Sequence, residues 1–363
     1  MKANKLLKTL AASTMSLALL AGVTVMPAMA APVTGDGTVE NKLTKISVSD
    51  VINTDGKTYA PNTELTISVT EGEGGTFADK EGSTATALAG VDGGLTGTTI
   101  TFTTDEEAGP KTSYTQTGDL VVNDGVFETA GIYHYVVTQT EPENKIEGMT
   151  YSEETYDVYL YVMNTADLSD LYVGYAVSVK RGETAQKADL VFTNNYDQGN
   201  TALHDLVLYK LVTGDAANMK DKFQFTVKID GDAGEKYYVE RGTYDNNTFT
   251  SNGTTMTLVS GESATIELGN KDALKVYSLD GTESYTIEEI GDNSNGYTLK
   301  INDVADNDGV TTGTISADAT VKYENTKNAS TPTGVILNVA PYALMVVIAV
   351  AGVAVFMRKR VED

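Results

Sequence analysis

The sequence predicts an all-β protein of two tandem sandwich domains, and three observations carry that reading. Short runs alternate in polarity or are rich in β-branched and aromatic residues: TELTISV (63–69), YDVYLYV (156–162), YVGYAVSV (172–179) and KFQFTVKI (222–229). Turn-forming clusters such as EGEGG, NDG, SNG and DNDG punctuate them. Between the two ends no stretch shows capped helical periodicity, and the roughly 300 residues there are enough for two domains of ordinary size.

The front of the chain reads as a signal peptide over residues 1–30. Lys2, Lys5 and Lys8 form a basic start, LAASTMSLALLAGVTVM an apolar middle, and Ala28-Met29-Ala30 the small-x-small pattern of a cleavage site. A first domain is expected over 31–197 and a second over 202–327, with the boundary in the polar link DQGNTA. A faint internal repeat supports that division. KISVSDVI (45–52), IYHYVVTQ (132–139) and LVFTNNYD (190–197) recur in order as DLVLYKLV (205–212), SYTIEE (284–289) and VKYENTK (321–327).

Residues 328–363 form the last element: Ser330-Thr331-Pro332-Thr333-Gly334, an apolar run from Val335 to Met357, and the basic Arg358-Lys359-Arg360. About 20 residues suffice to span a bilayer, and the basic end is expected on the cytoplasmic side. One span with almost nothing beyond it could be a simple tail anchor; cell-wall sorting signals have the same architecture, with a Pro-x-x-Gly or Pro-x-Thr-Gly element added just before the span.

Composition excludes several functions. The chain has no cysteine, which rules out a disulfide scaffold, and its formal net charge is −24. Without the three leader lysines and without Arg358, Lys359, Arg360, Glu362 and Asp363, 20 basic side chains face 48 acidic ones. Nucleic acid is an implausible partner for such a surface. His134 and His204 are the only histidines, and no spacing suggests a metal site or a catalytic triad. DVADNDG (303–309) misses the calcium-loop spacing and reads as a turn. No cofactor is expected.

One constellation carries chemistry. Lys210 sits inside LVLY-K-LV, Glu289 ends Tyr285-Thr286-Ile287-Glu288-Glu289, and Asn325 follows Tyr323-Glu324. A lysine within an apolar strand must be paired, bonded or neutral. It could be an edge lysine reaching water, or half of a Lys–Glu pair. It could also be a nucleophile: desolvation disfavours the charged amine and the charged carboxylate alike. A neutral Lys210 could then attack the Asn325 amide while Glu289 moves protons and ammonia leaves. Holding the three groups in contact would substitute effective concentration for a strong catalyst.

These residues, with GIYHYVV, YDVYLYV, LVFTNNYD, LVTGD and the C-terminal PTGV, are similar to those of Gram-positive sortase-assembled major (backbone) pilins of the two-domain streptococcal type. The resemblance runs through both domains. It implies Ig-like, CnaB-type sandwiches, a Lys210–Asn325 isopeptide bond assisted by Glu289, and no enzymatic activity beyond that self-reaction. The first domain departs from the family pattern. Asp50 stands at the lysine position and Gln139 at the glutamate position, with Asn194 at the asparagine position; Lys45 has the wrong strand parity. The three are expected to form a hydrogen-bonded polar cluster in place of a bond.

The resemblance further implies that a pilin sortase cuts between Thr333 and Gly334. It would then join Thr333 to a lysine of the next identical subunit. Lys187, seven residues before Asn194, is the expected acceptor, with Lys180 as the alternative. Minor pilins and peptidoglycan are implied partners, and the protein would be anchored to the cell wall as part of a pilus. The competing reading is a monomeric wall-anchored adhesin that holds a host ligand.

Overall fold

In a computed structural model the chain is two all-β Ig-like domains in tandem. The structure describes residues 39–78, 84–103, 109–182, 187–197, 202–291, 295–329, and, in the C-terminal apolar run, 342, 344–354 and 357. The expected signal peptide, the STPTG element and the basic tail lie outside the described residues. Residues 344–354 are helical, and no helix among the described residues is long and apolar enough to cross a membrane.

The first domain packs two sheets face to face. One has the order Leu95–Thr96, Ser113–Val122, Lys45–Asn53, Val191–Tyr196, Met149–Thr150. The other runs Leu171–Lys180, Thr155–Asn164, Gly131–Thr140, Thr63–Glu71, Thr98–Phe102, with Gly75–Ala78 and Thr84–Ala89 attached beside Gly131–Thr140. Strict alternation builds this core. Tyr133, Tyr135 and Val137 point inward from one strand, Tyr156, Val158, Leu160 and Val162 from its neighbour, and both sets are buried.

The second domain repeats the plan. Its larger sheet runs Thr248–Val259, Lys236–Asp245, Asp272–Leu279, His204–Thr213, Ala319–Thr326, Thr298–Ile301, Val304–Asp306. The smaller runs Ser263–Gly269, Lys222–Asp230, Ser284–Ile290, Val310–Thr314. The hairpin between Lys236–Asp245 and Thr248–Val259 turns on Asn246 and Asn247, both at positive φ (49° and 59°), the geometry of a two-residue turn that matches strand twist.

In each domain the opening strand lies parallel to the closing strand. Lys45–Asn53 pairs with Val191–Tyr196, with Ile52 opposite Asn194; His204–Thr213 pairs with Ala319–Thr326, with Val212 opposite Asn325. Parallel neighbours cannot be joined by a tight turn. All of the domain's other strands therefore lie between the two in sequence, and a link between them closes the whole domain.

The two domains meet through polar contacts. Lys57 Nζ donates to Tyr277 Oη (3.0 Å) and lies over its ring, Thr58 Oγ1 bonds Ser278 Oγ (2.6 Å), and Tyr59 Oη bonds Thr257 Oγ1 (2.7 Å). Asp197, at the end of the first domain, accepts from Ser278 Oγ at 2.8 Å.

Candidate isopeptide site

Lys210 belongs to a strand whose alternate residues Leu206, Leu208 and Val212 all face the core, and strand parity sends Lys210 the same way. Its side chain is 0% exposed, so it does not reach water as an edge lysine would. The adjacent closing strand brings Asn325 (1% exposed) beside it, and the facing sheet supplies Glu289 (7% exposed) from Ser284–Ile290.

The three groups form one contact chain. Lys210 Nζ donates to Glu289 Oε2 at 2.6 Å, and Asn325 Nδ2 donates to Glu289 Oε1 at 2.5 Å. Each carboxylate oxygen thus holds one of the two side chains. Asn325 Oδ1 is buried and has no hydrogen-bond partner among the described residues.

The surroundings shift Lys210 toward the neutral amine. Burial pushes the Lys210 ammonium down to about 8, and the adjacent Glu289 opposes that shift without cancelling it. The Phe223 ring lies 4.1 Å from Nζ and the Phe225 ring 5.6 Å. A ring face attracts an ammonium, but here the loss of water outweighs that attraction. Tyr323 meets Phe225 edge-on at 5.0 Å and its hydroxyl donates to the Ile287 carbonyl at 2.9 Å, fixing the floor of the site. Sequence reasoning placed KFQF on a strand but missed its role. The signal was present: two aromatics two residues apart share one face of a strand.

Gly309 supports Glu289 from behind. The Glu289 N–H donates to the Gly309 carbonyl at 2.9 Å, and Gly309 has φ +75°. A Cβ there would meet the Glu289 carbonyl oxygen at 2.9 Å, so only glycine fits. The DNDG segment is a turn held by Asp306 Oδ1, which accepts from the backbone N–H groups of Asp308 and Gly309.

The first domain carries the same frame with other groups. Asp50 lies two residues before the partner of Asn194, as Lys210 lies two before the partner of Asn325. Asn194 Nδ2 donates to Asp50 Oδ1 (2.6 Å) and to the Val51 carbonyl (3.2 Å). Gln139 Nε2 and the Ser152 N–H both donate to Asn194 Oδ1, at 2.7 and 3.0 Å. All three side chains are buried. Lys45 is exposed on the opposite face, paired with Asp119 at 2.7 Å.

Lys187 forms an isolated bridge with Val179 and is half-buried rather than fully exposed; that burial lowers its amine below the ordinary lysine range. Lys180 is paired with Glu154 at 3.2 Å. His134 bonds Asp157 at 2.8 Å and the Glu73 carbonyl at 2.9 Å, and His204 lies 3.8 Å from Asp318; neither belongs to a cluster that could hold a metal among the described residues. Ser330, Thr331, Pro332, Thr333 and Gly334 lie outside the described residues.

Residues 88–197 match the Spy0128-like isopeptide containing domain, and residues 204–327 match a domain of unknown function. The chain is 26% identical to a pilin of Streptococcus pyogenes serotype M1, over 94% of this chain and 98% of that one. A stretch of 132 residues is 32% identical to the pilus tip adhesin Cpa of the same species, covering 36% of this chain and 18% of the adhesin. Two solved structures of S. pyogenes major pilins share the fold. One has a TM-score of 0.52 at 20% identity, covering 79% of this chain and 99% of that one. The other, the T3.2 protein, has 0.53 at 21%, covering 79% and 98%. The isopeptide-domain match falls on the domain with Asp50 and Gln139, whereas the complete Lys–Glu–Asn set lies in the other. The chain is thus similar in sequence to a streptococcal pilin along nearly its whole length and shares the fold of the S. pyogenes major pilins.

Proposed function

We propose that the chain is the repeating shaft subunit of a covalently polymerised cell-surface pilus, a structural protein rather than an enzyme. The buried contact of Lys210 and Asn325 through Glu289, on the paired first and last strands, carries the reading, because a subunit under tension needs that closure. Lys210 Nζ attacks Asn325 Cγ while Glu289 takes the amine proton and returns it to the departing nitrogen. The Nζ–Cγ bond forms, the Cγ–Nδ2 bond breaks, and one ammonia leaves. Pilin homology along 94% of the chain supports the same function.

A pilin sortase cuts Thr333–Gly334 and transfers the Thr333 acyl group to Lys187 of the next subunit; minor pilins and peptidoglycan are further partners at the cell wall. With these joints, the two domains carry load differently. Force enters the first domain at Lys187 and leaves through the closing strand that follows it, Val191–Tyr196. In the second domain force enters along His204–Thr213 and leaves along Ala319–Thr326, so it must cross between parallel neighbours. A covalent bond is needed where the load crosses strands, which is the domain that holds the lysine.

Surface extracts boiled in SDS test the shaft reading. A ladder of multimers is expected, collapsing to monomer on Lys187→Ala or on loss of residues 330–334. A single monomeric band from the parent strain would instead favour the adhesin reading, to which the partial match with a tip adhesin lends its only support.

A further inference from the structure

The first domain poses a hydrogen-bonding problem that no charged form of its cluster solves. Asp50 is 0% exposed, and its Oδ2 has no partner among the described residues. Gln139 Oε1, in the same cluster, is also buried and unpartnered. Asn194 spans the two side chains, giving its amide N–H to Asp50 Oδ1 and accepting from Gln139 Nε2. The hydrogen bonds of the cluster go to Asp50 Oδ1, Asn194 Oδ1 and the Val51 carbonyl, leaving two buried acceptors over. An ionised carboxylate can only accept, and an unmet buried acceptor is costly.

We propose that the first domain is braced by a proton: Asp50 is held as the neutral carboxylic acid, and its Oδ2–H is the donor for the orphan oxygen of Gln139. The chain Gln139–Asn194–Asp50 then closes into a ring of hydrogen bonds across both sheets, occupying the register that Glu289, Asn325 and Lys210 occupy in the second domain. The same position therefore holds a permanent link in one domain and a reversible, proton-dependent link in the other.

The groups packed around Asp50 favour this form. Gln139 comes from the facing sheet, Asn194 from the closing strand, and Tyr156, whose hydroxyl donates to the Val191 carbonyl at 2.6 Å, from Thr155–Asn164. On the neighbouring Ser113–Val122 strand the paired residue is the neutral Gln116. The charge felt at Asp50 is negative, from Glu154, which accepts from the Thr193 N–H at 2.8 Å, from Ser152 Oγ and from Lys180 Nζ at 3.2 Å. Burial first, and Glu154 after it, raise the Asp50 acid to about 7, against the hydrogen bonds from the Val51 backbone and Asn194 that lower it. The sign follows. A folded-state value above the unfolded one means the brace is complete in acid and is lost as pH rises from about 4 to about 7.

The test is a pH titration of the full-length protein in mild detergent, labelled at aspartate carboxyl carbons and followed by NMR. One signal should titrate near pH 7 and be missing from Asp50→Asn. If the missing signal titrates in the ordinary carboxylate range, the proposal fails. Asn supplies the same donor and acceptor without a titrating proton, so the unfolding equilibrium of the wild type should worsen against Asp50→Asn by up to tenfold per pH unit between pH 5 and 7. A constant ratio overturns the proposal. Should Asp50→Asn not fold, hydrogen-exchange protection in the wild type decides. Residues 49–53 and 191–195 should lose protection above pH 7 relative to 206–212, and equal behaviour of the two domains would refute the brace. The carboxyl titration and the Asp50→Asn comparison depend neither on polymerisation nor on the Lys210–Asn325 bond.

Discussion

Glu289 holds Lys210 and Asn325 at once, accepting from Lys210 Nζ on one carboxylate oxygen and from Asn325 Nδ2 on the other, at 2.6 and 2.5 Å. A single residue thus sets the distance between amine and amide and, in the proposed reaction, offers the route for the proton. Removing it should stop the chemistry while leaving both reactants in place.

Intact-mass measurement of the wild type is expected to show one ammonia missing. Glu289→Ala should restore the full mass, as should Lys210→Ala and Asn325→Ala. A wild type of full mass would refute the bond, and a loss of two ammonias would place a second bond in the first domain. Closing a loop of this size is worth about 5 kcal/mol by analogy with a disulfide. Glu289→Ala also leaves the buried Lys210 amine without its partner, a further cost of about 1–3 kcal/mol. Thermal unfolding of the second domain should register the combined loss, short of full additivity.

Bond formation should accelerate with pH. Burial lowers Lys210 to about 8, so the neutral, nucleophilic fraction rises about tenfold per pH unit up to that value and then levels off. Newly refolded protein, quenched at intervals between pH 6 and 9 and weighed by mass spectrometry, gives the profile. A rate independent of pH below 8 would contradict an amine nucleophile that must first lose its proton.

The ring of Phe223 shields Lys210 Nζ at 4.1 Å. Phe223→Ala should admit water, return the amine toward its ordinary value and slow bond formation at pH 7 by about tenfold or more. Phe225, 0% exposed and in the core, is a different case: Phe225→Ala should cost about 3–5 kcal/mol of stability whether or not the bond forms. Refolding rates and unfolding midpoints of the two variants separate the effects.

Near the domain junction, Glu283 is buried beside Glu235, to which Tyr237 Oη donates at 3.0 Å. Burial first, then the neighbouring Glu235, pushes the Glu283 acid up to about 9. Its contribution to stability is therefore complete in acid and is lost as pH rises from about 4.5 toward 9. Glu283→Gln should unfold at a higher temperature than the wild type at pH 9, with the advantage shrinking at pH 5. An equal advantage at both pH values would show that the carboxyl does not hold its proton in the folded state.

Much of this protein was determined by the sequence alone. Alternation and turn clusters were enough for an all-β chain, because period-two burial is written residue by residue along each strand. The internal repeat was enough to align Lys210, Glu289 and Asn325 with Asp50, Gln139 and Asn194, since strand register preserves spacing. Other features depended on segments distant in the chain. Phe223 and Phe225 became a shield only when the smaller sheet folded over Lys210, and Gly309 mattered only once its carbonyl met the Glu289 backbone. The two orphan oxygens of Asp50 and Gln139 are likewise a tertiary result: composition gives the donors and acceptors, but only packing decides which of them water can no longer reach.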